Sequence, residues 1–514
     1  MLGLDLPDPV TAGAPAFADR EGARRWVGGL PLAQAQESAE ALAAQAAAVD
    51  AADLGAEEKL AMLDVLRRAA LQVVPGLEAR FTRKALPLPA ELARDFDLAR
   101  RLWRRLAVAY LRVAAGLAPG EAAILLHRAT VVLRSEQYLH FLAAYDVPDE
   151  LNRLLYGVLL TAEEQQTLRR PVADAELGFA EDSTIAGHLA WAFLLAAVDP
   201  YRLSLPQLAV ANRAFSRWRD LAGFQSVPDN DPKARTVPLP FILPRIAMPD
   251  GALRWLEVRA VVRKIRKRAE SLEAGESPES LKLGKDLSGA AAIALMRLLE
   301  KGLRPAEPPT HRRSLPVALA FGPEQAYVAI ERRPLNTATL HAKSDTRSHE
   351  RMAVFGFDDV SGLASAVNRA EPLSEAWELS GDLAWRAADA GSRLQAPVLV
   401  ALVAREGEGS RLGVLAGLRV TEDGRLAGHL RLYADHPVAA RLRPATPLAA
   451  KAPRVPAFLL TAEDGIAFYL VVSPTAGVRP QTGIALDDSP IEHLLVEDAV
   501  ERGTDFVRFS CHAN

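Results

Sequence analysis

The chain has 514 residues, a formal net charge of −3 and a single cysteine, Cys511. The length points to several domains and a sizeable buried core, while the charge excludes bulk electrostatic attraction to nucleic acid or an anionic membrane. The lone cysteine excludes an intrachain disulfide framework and a multi-cysteine metal site, and it fits a reducing compartment.

Residues 1–30 are rich in Gly, Pro and Ala without periodicity and read as a flexible tail with no signal-peptide pattern. Residues 31–303 read as an α-helical domain. The segments 33–50 and 56–73 have good helix composition, and Leu60, Leu63, Leu66 and Ala70 recur at helical spacing; Pro75, Pro87 and Pro89 then break the chain. Over 90–116 the stripe Phe96, Ala99, Trp103, Leu106 and Tyr110 predicts an amphipathic helix. Arg100, Arg101, Arg104 and Arg105 lie largely off that stripe and read as a solvated face. Further helices are predicted over 119–144, 149–169, 182–199, 204–221, 252–273 and 288–302, with Ser204 and Ser288 as N-caps. His127 and His140 lack a ligand partner at i+4 and read as ordinary histidines. The longest apolar run, near 186–198, contains His188 and falls short of the roughly 20 residues a bilayer span needs. A soluble cytoplasmic protein is expected.

Two stretches interrupt the helical pattern. Residues 225–250 hold six prolines and read as a long loop packed on the body. The run Arg263-Lys264-Ile265-Arg266-Lys267-Arg268 is the most basic segment; without aromatic interleaving it reads as a solvated helix face and not as a nucleic-acid contact.

The pattern changes after residue 303. Residues 304–375 read as a Pro-rich linker and a β-hairpin segment, with strands at 315–321 and 326–330, a polar loop at 332–350 and a short strand at 352–357. Residues 376–514 read as a β-barrel domain with a C-terminal extension. Short apolar segments at 398–403, 412–418 and 426–432, punctuated by the Asp423-Gly424 turn, predict a small antiparallel barrel. A second Pro-rich linker (437–456), strands near 458–460, 466–472 and 506–509, and a short helix at 491–501 complete the chain. The fold class is thus α+β and multidomain, a mainly α-helical N-terminal body followed by a C-terminal antiparallel β-barrel.

No HExxH, GxSxG, Walker or strand-following GxGxxG pattern occurs, and no metal-ligand spacing, so a non-enzymatic protein without a metal or cofactor is expected. The order of parts resembles large proteobacterial proteins with a helical N-terminal region and a PilZ-like C-terminal domain. The resemblance rests on Asp199-Pro200-Tyr201-Arg202-Leu203-Ser204, Asp286-Leu287-Ser288, His311-Arg312-Arg313, Trp377-Glu378-Leu379, Pro397-Val398-Leu399-Val400 and Leu412-Gly413-Val414. It implies a receptor for cyclic di-GMP, bound through an RxxxR segment entering the barrel and a later [D/N]xSxxG. Arginines offer planar forks to phosphates and stack on guanine, and short Asp or Ser side chains bond a base edge. Here both motifs are degenerate. Arg312 and Arg313 are adjacent, Arg347 and Arg351 spell RxxxR in the polar loop, and Asp382-Leu383-Ala384-Trp385-Arg386 keeps the Asp but not the Ser or Gly. The implied ligand-binding residues are Arg312, Arg313, Arg347, Arg351, Asp382 and Arg386. Two readings stay open: a cyclic di-GMP receptor, or a scaffold binding a protein partner through the helical body, with a barrel that no longer binds nucleotide.

Overall fold

The computed structural model describes residues 4, 6–8, 13–118, 120–175, 182–228, 235–304, 313–335, 370–404, 409–434, 436–443, 454–461 and 468–513. The chain divides into a first unit, Met1–Lys84 with Leu88–Thr310, and a second, Ala85–Pro87 with His311–Asn514.

The first unit is helical. Its elements are α1 (Arg20–Gly28), α2 (Ala35–Ala51), α3 (Ala56–Phe81), α4 (Ala90–Ala115), α5 (Ala123–Ala143), α6 (Asp149–Glu164), α7 (Ile185–Ala197), α8 (Leu205–Trp218), α9 (Leu239–Ile242), α10 (Arg259–Glu273) and α11 (Gly289–Gly302). Helix α1 lies inside the stretch expected to be a tail: the Asp19 side chain accepts from Gly22 N at 2.7 Å and starts it. Pro75 sits inside α3 and does not end it. Leu77 and Phe81 continue the buried stripe of Val73 and Val74, so packing of that face outweighs a local proline cost of about 3 kcal/mol. The expected caps Ser204 and Ser288 both accept from backbone N–H groups three residues on. Three of the four arginines read as a solvated face of α4 pair within the unit: Arg104 forks onto buried Glu136 with two 2.9 Å bonds, while Arg100 and Arg101 pair with Asp97.

The Pro-rich stretch 225–250 departs from the expected loop. It contributes to a three-stranded antiparallel sheet in which β3 (Trp255–Glu257) lies between β1 (Gly223–Gln225) and β2 (Thr236–Pro238). The strands are three residues long, too short for a periodic signal, so the whole region before residue 306 reads as helix or loop.

The second unit contains two closed six-stranded barrels. The first is built from β4 (Leu315–Phe321), β5 (Glu375–Ser380), β6 (Leu383–Ala387), β7 (Val398–Val403), β8 (Arg411–Val420) and β9 (Arg425–Leu432), in the order β4-β5-β6-β9-β8-β7. The second uses β10 (Val438–Leu442), β11 (Val455–Thr461), β12 (Phe468–Val472), β13 (Thr482–Asp487), β14 (His493–Arg502) and β15 (Val507–Ala513), in the order β10-β11-β12-β15-β14-β13. Counted from its own first strand, each barrel runs 1-2-3-6-5-4, with every neighbouring pair antiparallel. The C-terminal extension is therefore a second barrel with the connectivity of the first, and β10 and the start of β11 occupy the expected linker 437–456.

Two further elements differ from expectation. The second arm of the hairpin is a helix, α12 (Pro323–Glu331): Pro323 starts it, and Ala326, Tyr327 and Ala329 face inward. A five-residue apolar run carries no period of its own, and here burial selects the helical one. Conversely, 491–501 is the long strand β14. Register shifts between Val496 and Ala499 and between Ala499 and Glu501 break its in-out alternation and mask the strand pattern. The strand expected at 352–357 lies outside the described residues.

The Asp423-Gly424 turn holds as read, with Gly424 at φ +78° and Thr421 Oγ1 accepting from Arg425 N at 3.0 Å. At Gly413, a Cβ would meet Arg431 O at 2.6 Å and Leu432 Cα at 2.9 Å, so β8 and β9 approach too closely there for any side chain.

One hydrophobic cluster is shared by the two barrels, and the second barrel has a further one of its own around Leu459, Leu470, Leu494 and Phe509. In the shared cluster Leu399, Ala401, Leu412 and Val414 of the first join Phe458, Leu460, Val471 and Phe506 of the second, together with Tyr327 of α12. A polar clasp closes one side: Asp505 Oδ1 accepts from Leu399 N at 2.9 Å, and Thr504 N donates to Pro397 O at 2.8 Å. Burial raises the Asp505 carboxyl from 3.8 to about 6, although the Leu399 N–H favours its charged form. An acid with a raised folded-state pKa costs stability progressively as pH rises from 3.8 to about 6, and the cost is complete above that. Asp505→Asn keeps the acceptor and removes the charge. Denaturant unfolding at pH 7 is expected to show the variant more stable, by at most about 3 kcal/mol, with the gain vanishing near pH 4. A variant less stable at both pH values would assign Asp505 a role that depends on its charge.

Candidate functional site

The helical unit is built around a buried ion network. Arg67, in the middle of α3, forks onto Asp174 with bonds of 2.8 and 2.7 Å, and both side chains are almost wholly buried. Arg128 of α5 reaches the same carboxylate at 2.9 Å and donates to Ala173 O at 3.1 Å. Asp64, one turn before Arg67, lies 3.6 Å from Arg67 Nε and 3.4 Å from Arg128 Nε, and it accepts from Tyr110 of α4 at 2.7 Å. Two arginines and two aspartates thus tie three helices to the segment preceding α7. Burial is the largest influence on Arg67 and opposes its charge, but the bond to Asp174 together with electrostatic attraction to Tyr110, Asp64 and Asp174 outweighs it and raises the guanidinium pKa; burial and Asp64 together hold the Tyr110 hydroxyl protonated.

A histidine pair extends the network. His127 Nε2 lies 2.8 Å and His188 Nε2 3.1 Å from Ser183 Oγ, with the rings edge to face at 5.1 Å. Burial, reinforced by Arg128, lowers His127 to about 4, and burial with His127 beside it lowers His188. Both rings are neutral at pH 7. His140 is likewise buried, edge to face with Phe96 at 5.1 Å, and lowered to about 3. Among the described residues no group of three or more metal-ligating side chains forms a metal site.

A cavity of about 310 Å³ opens onto this network. Arg67, Arg128 and Asp174 form its back, Glu57, Leu60 and Asp64 one wall, and the exposed Arg20, Arg24 and Arg68 its mouth. Five guanidinium groups therefore face one concavity, two of them locked in place by the buried carboxylate of Asp174. Such a surface offers planar donors to phosphate or carboxylate oxygens, and carboxylate acceptors to a purine edge.

The barrels hold the residues implied by the motif comparison. Arg313 is exposed ahead of β4, and Arg312, Arg347 and Arg351 lie outside the described residues. Asp382 is in the β5–β6 turn, its carboxylate 3.3 Å from His429 Nδ1. Arg386 faces inward: it pairs with Glu375 at 3.0 Å, donates to the carbonyls of Ala387, Ala388 and Ser392, and stacks 5.1 Å from the Trp377 ring centroid. In this conformation its guanidinium is committed to the barrel. A separate cluster, which no motif marks, gathers Arg431, Tyr433, Tyr469, Glu501 and Arg508. The Arg508 guanidinium lies 4.7 Å from the Tyr469 ring and 5.2 Å from Tyr433, and Glu501 pairs with both arginines.

Residues 21–229 match the family model described as cyclic-di-GMP receptor FimW, N-terminal domain. The match falls on the helical unit, and apart from Arg20 every residue lining the cavity lies within it. No curated protein and no solved structure matches the chain. Among the described residues no helix is long and apolar enough to cross a membrane.

Asp174→Asn removes the charge that compensates two buried arginines. It is expected to cost about 3–5 kcal/mol in denaturant unfolding, and a loss below about 1 kcal/mol would refute the central role of the pair. For His127, the depressed folded-state pKa means stability is complete above 6.5 and lost as pH falls toward about 4. Stability measured from pH 7 to pH 4 should fall more steeply in the wild type than in His127→Gln, by on the order of 3 kcal/mol over that window.

Proposed function

We propose that this chain is a regulatory receptor for cyclic di-GMP and that the arginine-lined cavity of the helical unit takes the nucleotide. The observation that carries the reading is the coincidence of that cavity with the segment matching a family described as a cyclic-di-GMP receptor. The chemistry agrees: Arg20, Arg24 and Arg68 supply forks for the two phosphates, and Glu57 and Asp64 supply acceptors for guanine N–H groups. The cavity volume is at the lower end of the range for small-ligand sites. Ligand held at once by α1 and α3 would favour states in which α1 is docked on α3, and only such differential affinity makes binding a signal.

A second placement puts the grip at the first barrel, through Arg312 and Arg313 ahead of β4 and Arg347 and Arg351 between β4 and β5 in the sequence. Titration calorimetry with cyclic di-GMP on the full chain separates the two. The expected result is binding by the wild type, weakened about tenfold or more in Arg20→Ala/Arg24→Ala through lost charge-assisted bonds, and unchanged in Arg312→Ala/Arg313→Ala. The reverse pattern moves the site to the barrel entrance. Absence of heat with the wild type at high micromolar ligand favours the scaffold reading, in which the helical body binds a protein partner.

A further inference from the structure

The basic run 263–268 lies on α10, where the fold divides its charges. Val261, Val262, Ile265 and Leu272 face inward, and Arg266 pairs with Glu300 at 2.7–2.8 Å. Lys264 and Arg268, one turn apart, point instead into a cavity of about 200 Å³ between α8, α10 and the loop at 281–283. Arg217, at the end of α8, and Lys282 complete a ring of four cations, while Trp218, Leu281 and Leu283 form an apolar floor.

No carboxylate lines this cavity among the described residues. Arg217 donates to Lys282 O at 3.0 Å, which fixes the loop while leaving the rest of its guanidinium available. The Lys264, Arg268 and Lys282 side chains make no hydrogen bond or ion pair with another described residue, and Arg268 Nε is buried without a partner. Other arginines near the core of this unit meet a carboxylate, as Arg67 does Asp174, Arg104 does Glu136 and Arg112 does Asp50, while Arg134 stacks on the Trp191 ring instead. Four like charges around one cavity repel one another, and Lys264 and Arg268 at i,i+4 cost the helix a few tenths of a kcal/mol more. An anion in the cavity removes both penalties. The apolar floor adds a preference for an anion that carries a flat or aliphatic group.

We propose that this cavity is a binding site for a small organic phosphate, its phosphoryl oxygens held by Lys264, Arg268, Arg217 and Lys282 and its organic group against Trp218 and Leu283. The site is distinct from the cavity under α1 and does not depend on the cyclic di-GMP reading. Only part of it, through Ala214, Arg217 and Trp218, lies within the family-matched segment.

The test is titration calorimetry of the full chain with phenyl phosphate and with inorganic phosphate at constant ionic strength. Two double variants remove equal charge from the same helix: Lys264→Ala/Arg268→Ala inside the cavity, and Arg263→Ala/Lys267→Ala outside it. Lys282→Ala, on the loop, gives a variant that leaves α10 unchanged. The expected result is tighter binding of phenyl phosphate than of inorganic phosphate, retained in Arg263→Ala/Lys267→Ala and weakened about tenfold or more in Lys264→Ala/Arg268→Ala and measurably in Lys282→Ala. Equal losses in the two double variants would assign the effect to diffuse surface charge and overturn the proposal. Equal affinity for the two ligands would overturn the role of the apolar floor. No heat from the wild type at 10 mM (a concentration on the order of the weakest specific small-ligand affinities) would overturn the site.

Discussion

The helical unit depends on one carboxylate. Asp174 is buried, and it keeps two buried guanidinium groups, from α3 and α5, in place. Without it neither arginine has a fully compensating partner, because Asp64 sits at longer distance and is shared with Tyr110. Ion pairs of this kind add little net stability compared with apolar packing, but they tolerate few alternative arrangements. That restriction positions the back wall of the cavity, and hence the geometry offered to a ligand. The neutral histidine pair beside it serves the same end: Ser183 joins His127 and His188 without bringing a further charge near the arginines.

Charge is distributed here in a way that the net value of −3 conceals. Most arginines of the helical unit are matched within hydrogen-bond distance, as Arg104 is by Glu136 and Glu150. Two concavities nonetheless collect cations, one with carboxylates at its back and the other with none among its described lining residues. A protein of near-neutral total charge can therefore still concentrate positive charge locally.

Helices with strong amphipathic stripes were legible in the sequence, from the Leu60–Ala70 repeat to the capped starts at Ser204 and Ser288, because a 3.6-residue period reports directly on burial. So was the run of strands from Trp377 to Tyr433, whose turn at Asp423-Gly424 sets the register. Short or irregular elements were not. The run 326–330 is too brief to show a period, and the bulges of β14 erase one. The second barrel was hidden because its first strand follows Pro437 and lies in what reads as a linker. Site residues fared worse for a different reason. Asp174 stands in an unremarkable polar segment, and its partners are more than forty positions away in the chain; only the folded helices bring Arg67 and Arg128 to it. Arg386, conspicuous in a motif comparison, is turned inward by Glu375 and Trp377.

Closure of the two barrels limits how anything can attach to them. In a closed ring each strand already has a partner on both sides, so among the described strands no open sheet edge is left to which another chain could add a strand. Recognition at this end of the protein must go through side chains and loops, which makes it sensitive to single substitutions and tolerant of none of the promiscuous pairing that open sheets permit. The same closure guards the folded unit against edge-to-edge stacking into fibres, a useful property for a chain that places two such rings in succession.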